Sequence, residues 1–180
     1  MDSESFYGLL KRVVPELFPK ISSLPAGTSE RCLDEVEQAT GLQLPEELRR
    51  FLSRCNGLGE GVWLRDRLCL LSAEQIVDWW RIHVDTLQWV PDDLPEEDGV
   101  IVHRDPEIQP LIASRHWLPV AEEVDGNFSV YADFNPTAAG QLGQIILVYP
   151  EATEWRLIAP SIGGLWDWFA EDIKRRSKIS

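Results

Sequence analysis

The stretch QIILVYP, residues 144–150, has almost no polar position from Ile145 onward. A strand alternates its side chains between two faces, so such a run is stable only where both faces are covered, in a sheet interior. Just upstream, Phe128, Val130, Ala132 and Phe134 alternate with Ser129, Tyr131 and Asp133, a second strand of period two. A long, turn-rich link carrying Asn135 joins the two runs. Whether that link is a reaction site or only a turn depends on whether chemical partners converge on it.

The rest of the chain supplies what covers the sheet. Phe6, Leu10, Val13, Val14 and Leu17 follow helical spacing and predict an opening helix interrupted or bent near Pro15. From Ser29 a second helix places Cys32, Val36 and Ala39 on one stripe and stops at Gly41. In LQLPEELRRFLSRCNG (42–57), Pro45 suits a first turn, Leu48, Phe51, Leu52 and Cys55 form one face, and Asn56-Gly57 ends the helix. Val62 to Leu71 reads as a strand, with Trp63, Leu64, Leu68 and Leu70 apolar and a bend at Arg65–Arg67.

Ser72 and Gln75 form a capping box for a helix bearing Ala73, Ile76, Val77, Trp80 and Val84. VPDDLPEEDG (90–99), rich in Pro and acids, predicts an exposed loop. Short strands are expected at Val100–Val102 and Trp117–Ala121, and another over EWRLIAP (154–160). Ser161 then caps a closing helix with Leu165, Trp166, Phe169, Ala170 and Ile173 inward and a Glu171–Arg175 ion pair outward. Helices first, then neighbouring strands joined by short connections, then a helix predict one α+β domain over 1–180: a mainly antiparallel central sheet flanked by N-terminal helices and a C-terminal helix.

With 180 residues, 44% of them hydrophobic, and eight Trp, the chain can bury a core without metal or disulfide. The acidic N-terminus does not read as a leader, and no apolar run reaches bilayer-spanning length. Three widely spaced cysteines, Cys32, Cys55 and Cys69, fit a reducing, cytoplasmic setting. The net charge of −13 disfavours direct nucleic-acid binding and would attract a basic partner, although acidity alone more often serves solubility.

The chemical motifs point away from catalysis. His83, His103 and His116 lack metal-ligand spacing, and phosphate-loop, dinucleotide and nucleophile-elbow signatures are missing. Cys55 falls on an apolar stripe and reads as core. Trp79-Trp80 and the Trp166/Trp168 pair suit core and rim packing. Asp125-Gly126 is a turn signal, and Asp133, Asn135 and Pro136 are strand-ending types. No catalytic residue, cofactor or metal site is expected.

Four blocks carry a family resemblance: ATGLQLPEELRRFLSRCNG (39–57), LCLLSAEQIVDWW (68–80), WLPVAEEVDGNFSVYADFNPTAAGQLGQI (117–145) and LIAPSIGGLWDWFAEDI (157–173). Over about residues 29–174 the chain resembles the SUKH superfamily of Smi/Knr-type cell-wall assembly regulators and bacterial immunity proteins. The matching positions are Gly41, Leu44, Pro45, Phe51, Leu52, Asn56, Gly57, Trp117, Pro119, Ala121, Gly126, Asp133, Pro136 and Gly143-Gln144-Ile145. Residues 1–28 form an N-terminal helical extension to that pattern, and 85–116 is a long additional segment.

The resemblance implies an α+β fold, no known catalytic residues and, for many bacterial members, neutralisation of a cognate toxin, often a nuclease. It also implies that Asp133 to Gly143 is a strand-turn-strand hallmark and not a place where substrate is processed. The expected function is therefore a cytoplasmic immunity protein that binds a toxin domain. The expected contacts are the acidic clusters Asp92, Asp93, Glu96, Glu97, Asp98 and Glu122, Glu123, Asp125, presented from loops to a basic surface. The alternatives are a regulatory scaffold binding host proteins and, more remotely, an enzyme of unknown type. The residues leave the oligomeric state open.

Overall fold

A computed structural model describes residues 1–86, 93–95 and 103–177. In chain order these form α1 (Ser3–Leu17), α2 (Glu30–Thr40), α3 (Glu46–Arg54), a 3-10 turn (Arg65–Arg67), β1 (Leu68–Leu70) and α4 (Ala73–Thr86). Then follow β2 (Asp93–Pro95), β3 (His103–Arg104), β4 (Leu111–Ser114), β5 (Trp117–Glu123), β6 (Ser129–Asp133), β7 (Gln144–Tyr149), β8 (Glu154–Ala159) and α5 (Ile162–Arg176). The fold is α+β.

A six-stranded sheet runs β1-β5-β6-β7-β8-β3, antiparallel except for the β3–β8 pair. As its apolar run requires, β7 is interior and covered on both faces. Ile145 and Leu147 join the helices and one face of the sheet in the main core. Ile146 and Val148 join Ile108, Leu111, Trp117 and Trp155 in a smaller core on the other face. β2 and β4 form a separate two-stranded ribbon.

Helix boundaries follow local chemistry. The Ser29 hydroxyl accepts the Cys32 N–H, Gly41 closes α2 in the left-handed conformation, and Ser161 caps α5. Ser72 and Gln75 exchange both bonds of the capping box. α1 packs Phe6 at 4.7 Å from the Trp166 ring of α5, with Phe51 of α3 5.0 Å from the same ring. The N-terminal helix is thus built into the main core.

Several expectations are corrected. Pro15 does not interrupt α1; it sits in the last turn, and the helix ends at Leu17. α2 buries Leu33, Val36 and Thr40, a stripe rotated from Cys32 and Ala39, which are only partly covered. The strand expected over Val62–Leu71 is confined to Leu68–Leu70, because Asp66 and Arg67 take positive φ and turn the chain. Trp63 lies beneath the Arg176 guanidinium, 4.3 Å from its ring centroid. Asp172, not Glu171, pairs with Arg175.

Within the acidic segment expected as loop, 93–95 forms β2, whose backbone pairing with β4 prevails over its Pro- and Asp-rich composition. Its register shifts at Pro95, where a residue without an N–H is tolerated. The expected strand at Val100–Val102 lies outside the described residues.

One irregularity positions the site described next. Pro119 pairs with Tyr131, but Ala121 pairs with Val130 and Glu122 with Ser129, so β5 carries one extra residue at Val120. Val120 and Ala121 consequently both face the main core, and Glu122 is returned to the opposite face beside Ser129.

Candidate partner interface

The hallmark residues are joined by hydrogen bonds that complete the fold. Asp133, fully buried at the end of β6, accepts the Asn135 N–H at 2.8 Å on one oxygen and the Gln144 amide at 2.9 Å on the other. Its carbonyl accepts the Gly143 N–H at 2.8 Å. The same Gln144 amide donates to the Glu107 carbonyl, and the Gln144 side-chain oxygen accepts the Gln141 N–H. Burial pushes the Asp133 carboxyl above its ordinary range, opposed by the Asn135 and Gln144 bonds. The Trp117 indole nitrogen adds to that opposition without reaching hydrogen-bond geometry.

Around this knot, Pro136 accepts the Gln109 amide, and Gly140 packs where a Cβ would lie 2.6 Å from the Gln144 side-chain oxygen. The convergence is therefore of structural donors on one acceptor, and the link is a turn. His116 lies in the β4–β5 turn, its N–H given to the Ser114 hydroxyl.

The Asn56-Gly57 pair joins α3 to α4. Asn56 accepts the Ala73 N–H and donates to Glu74. Gly57 has φ +76, and a Cβ there would meet the Ser72 nitrogen at 2.7 Å. Leu44 is buried, and the Pro45 carbonyl accepts the N–H groups of Leu48 and Arg49 to start α3. Trp117 is fully buried beside Tyr131 and His83, Pro119 is buried on the same strand, and Gly126 forms the β5–β6 turn.

The nominated acids do not form one exposed set. Glu122 and Glu123 are not on a loop: they end β5 and are only 9% and 4% exposed. Glu123 accepts the N–H groups of Asp125 and Asn127 and the Asn127 amide, so it builds the turn. Asp125 is exposed and held by Arg67 at 2.7 Å. Asp93 lies on β2, and Asp92, Glu96, Glu97 and Asp98 lie outside the described residues.

Glu122 differs from its neighbours. Among the described residues its one donor is the Ser129 hydroxyl, 2.6 Å from one oxygen. Burial drives its carboxyl from the ordinary 4.5 up to about 7, with the Ser129 bond opposing and Glu123 assisting. It lines an open cleft of about 380 Å3 between α4 and the turn after β5. Gln75 and Trp79 supply the α4 wall, Cys69 lies opposite Glu122 across the β1–β5 pair, and Val124 and Asp125 form the lip. Trp79 is 37% and Val124 52% exposed, unusual for such side chains.

Sequence reasoning assigned Trp79 to packing and missed this cleft; the only available signal was that Trp79 falls outside the apolar stripe of α4. Burial also raises the Cys69 thiol to about 11, so it is a wall and not a nucleophile. Among the described residues no group of His, Cys, Asp and Glu could hold a metal ion, and no helix is long and apolar enough to cross a membrane.

Compared with known proteins, residues 27–168 match the model of the SMI1 / KNR4 family (SUKH-1). No curated protein matches the chain.

Proposed function

The chain belongs to the SMI1 / KNR4 family (SUKH-1), and from that membership we propose that it is a non-enzymatic, cytoplasmic protein-binding module that neutralises a cognate bacterial toxin by direct contact. The family match over 27–168 carries the reading. The net charge of −13 supports a basic target, a nuclease domain being the obvious kind, since a surface evolved to hold a phosphate backbone is itself cationic. On this reading Asp125 and the acids at Asp92, Asp93, Glu96, Glu97 and Asp98 steer encounter, and Glu122 and Glu123 act from β5 beside Asp125.

The test is capture of partners from native lysate at moderate salt, identified by mass spectrometry, followed by co-expression of the captured domain with and without this protein. A toxin domain whose growth inhibition is relieved by co-expression supports the reading. Several host proteins and no toxin domain would overturn it in favour of a regulatory scaffold. With the partner in hand, charge reversal at Asp125 and across 92–98 is expected to slow association and flatten its salt dependence, read by stopped-flow at two ionic strengths.

A further inference from the structure

We propose that the cleft between α4 and the β1–β5 end of the sheet receives an arginine or lysine side chain of the partner, stacked on Trp79 and ion-paired with Glu122. The inference rests on the protein-binding reading above and names where the contact is made. Three observations converge on it.

The first is an open acceptor. Glu122 is nine-tenths buried, yet one oxygen is bonded by Ser129 alone and the other receives no hydrogen bond from the described residues. A carboxylate oxygen is stable where donors reach it, and the free one here opens to the cleft, where a donor from outside the chain can approach it. Among the described residues no cation is paired with it. Glu123 and the Tyr131 hydroxyl lie on β5 and β6, the Cys69 thiol on β1, and Gln75 on α4. Arg67 is paired with Asp125 and stands 3.9 Å from Glu123.

The second is an exposed aromatic at the right place. Trp79 lines the same cleft, and a guanidinium or ammonium group over an indole face gains cation–π attraction that increases as water is excluded. With Val124 at the lip, the cleft has the composition of an interaction hot spot: an aromatic and an apolar surface around one unsatisfied polar group. The third is charge. Glu123 and Asp125 share one arginine and Glu122 has none, leaving local negative charge within a chain already at −13.

Ion pairing stabilises the ionised carboxylate, so occupancy must pull the Glu122 titration down from about 7 and release a proton near neutral pH. The probe is n-butylguanidinium added to the full chain at pH 7, with n-butylurea as its neutral counterpart. The Glu122 carboxyl is followed by 13C NMR and the Trp79 indole by 15N NMR.

Butylguanidinium is expected to move the Trp79 signal and lower the Glu122 midpoint, and butylurea to do neither. Glu122→Gln should weaken guanidinium binding about tenfold, the loss of one charge-assisted bond. Trp79→Ala should weaken it about threefold. If Glu122→Gln does not fold, Glu122→Asp, which retracts the carboxylate by one methylene, serves in its place with a smaller loss.

Equal shifts with butylurea, binding unaffected by Glu122→Gln, or guanidinium shifts that map away from Trp79 would overturn the proposal. Because the probe replaces the partner, failure here with toxin capture intact removes only the cleft assignment. Guanidinium binding without toxin capture does the converse.

Discussion

Asp133 and Glu122 sit near opposite ends of the β5–β6 pair, both carboxylates buried in the same sheet and both pushed upward in pKa by that burial. Asp133 has a donor on each oxygen, while Glu122 has a hydroxyl on one and the cleft beside the other. The first is a closed polar network, which stabilises and specifies a connection. The second is answered by the chain on one oxygen and opens to the cleft on the other, where something outside the chain can complete the set.

This difference is most directly broken at Asp133. Asp133→Ala removes one of the two acceptors of the Gln144 amide and the acceptor of the Asn135 N–H, and a loss of about 3 kcal/mol is expected in urea unfolding. Gln144→Leu removes the partner instead of the acceptor and leaves one carboxylate oxygen unanswered; about 2 kcal/mol is expected from the same measurement.

Glu122 should behave in the opposite sense. A folded pKa raised from 4.5 to about 7 means that the native state holds the proton more tightly than the unfolded chain. The folded state therefore loses stability as pH rises from about 4.5 through about 7. Glu122→Gln, which stays neutral, is expected to be more stable than the parent by roughly 2 kcal/mol at pH 8 and nearly equal to it at pH 4, read from unfolding midpoints at both values. A parallel pH dependence in the two proteins would show that the carboxyl is solvated after all.

The smallest effect is sought at Ser129. Ser129→Ala removes the single donor and should push the Glu122 midpoint further up, with a stability cost of about 1 kcal/mol, followed by 13C NMR and thermal unfolding.

How much of this was legible in the sequence depends on the range of the interaction. Caps at Ser72 and Ser161 could be read because donor and acceptor lie three residues apart. The double burial of β7 could be read because its apolar run admits few other placements. β2 could not, because its partner strand begins sixteen residues after it ends and nothing local favours pairing. The 3-10 turn at Arg65–Arg67 shortened β1 through backbone angles that the side-chain pattern does not carry.

The site was legible only in part. Asp133, Gly143 and Gln144 could be named as one hallmark, while their mutual bonds emerged from the fold. Glu122 and Glu123 could be named as acids near a turn, but the extra residue in β5 decides which way each points, and alternation counted along the chain passes over it.

That extra residue also bears on how relatives of this chain could come to differ. Removing one codon at Val120 would restore strict alternation and leave Ala121 opposite Val130 and Glu122 opposite Ser129, each on the face it has now. A change in length here would thus keep the acidic surface, whereas regular pairing with Val120 retained would turn Glu122 toward the main core. A gap at this position in a relative therefore carries no change of binding surface, which must be sought in the residue that stands opposite Ser129.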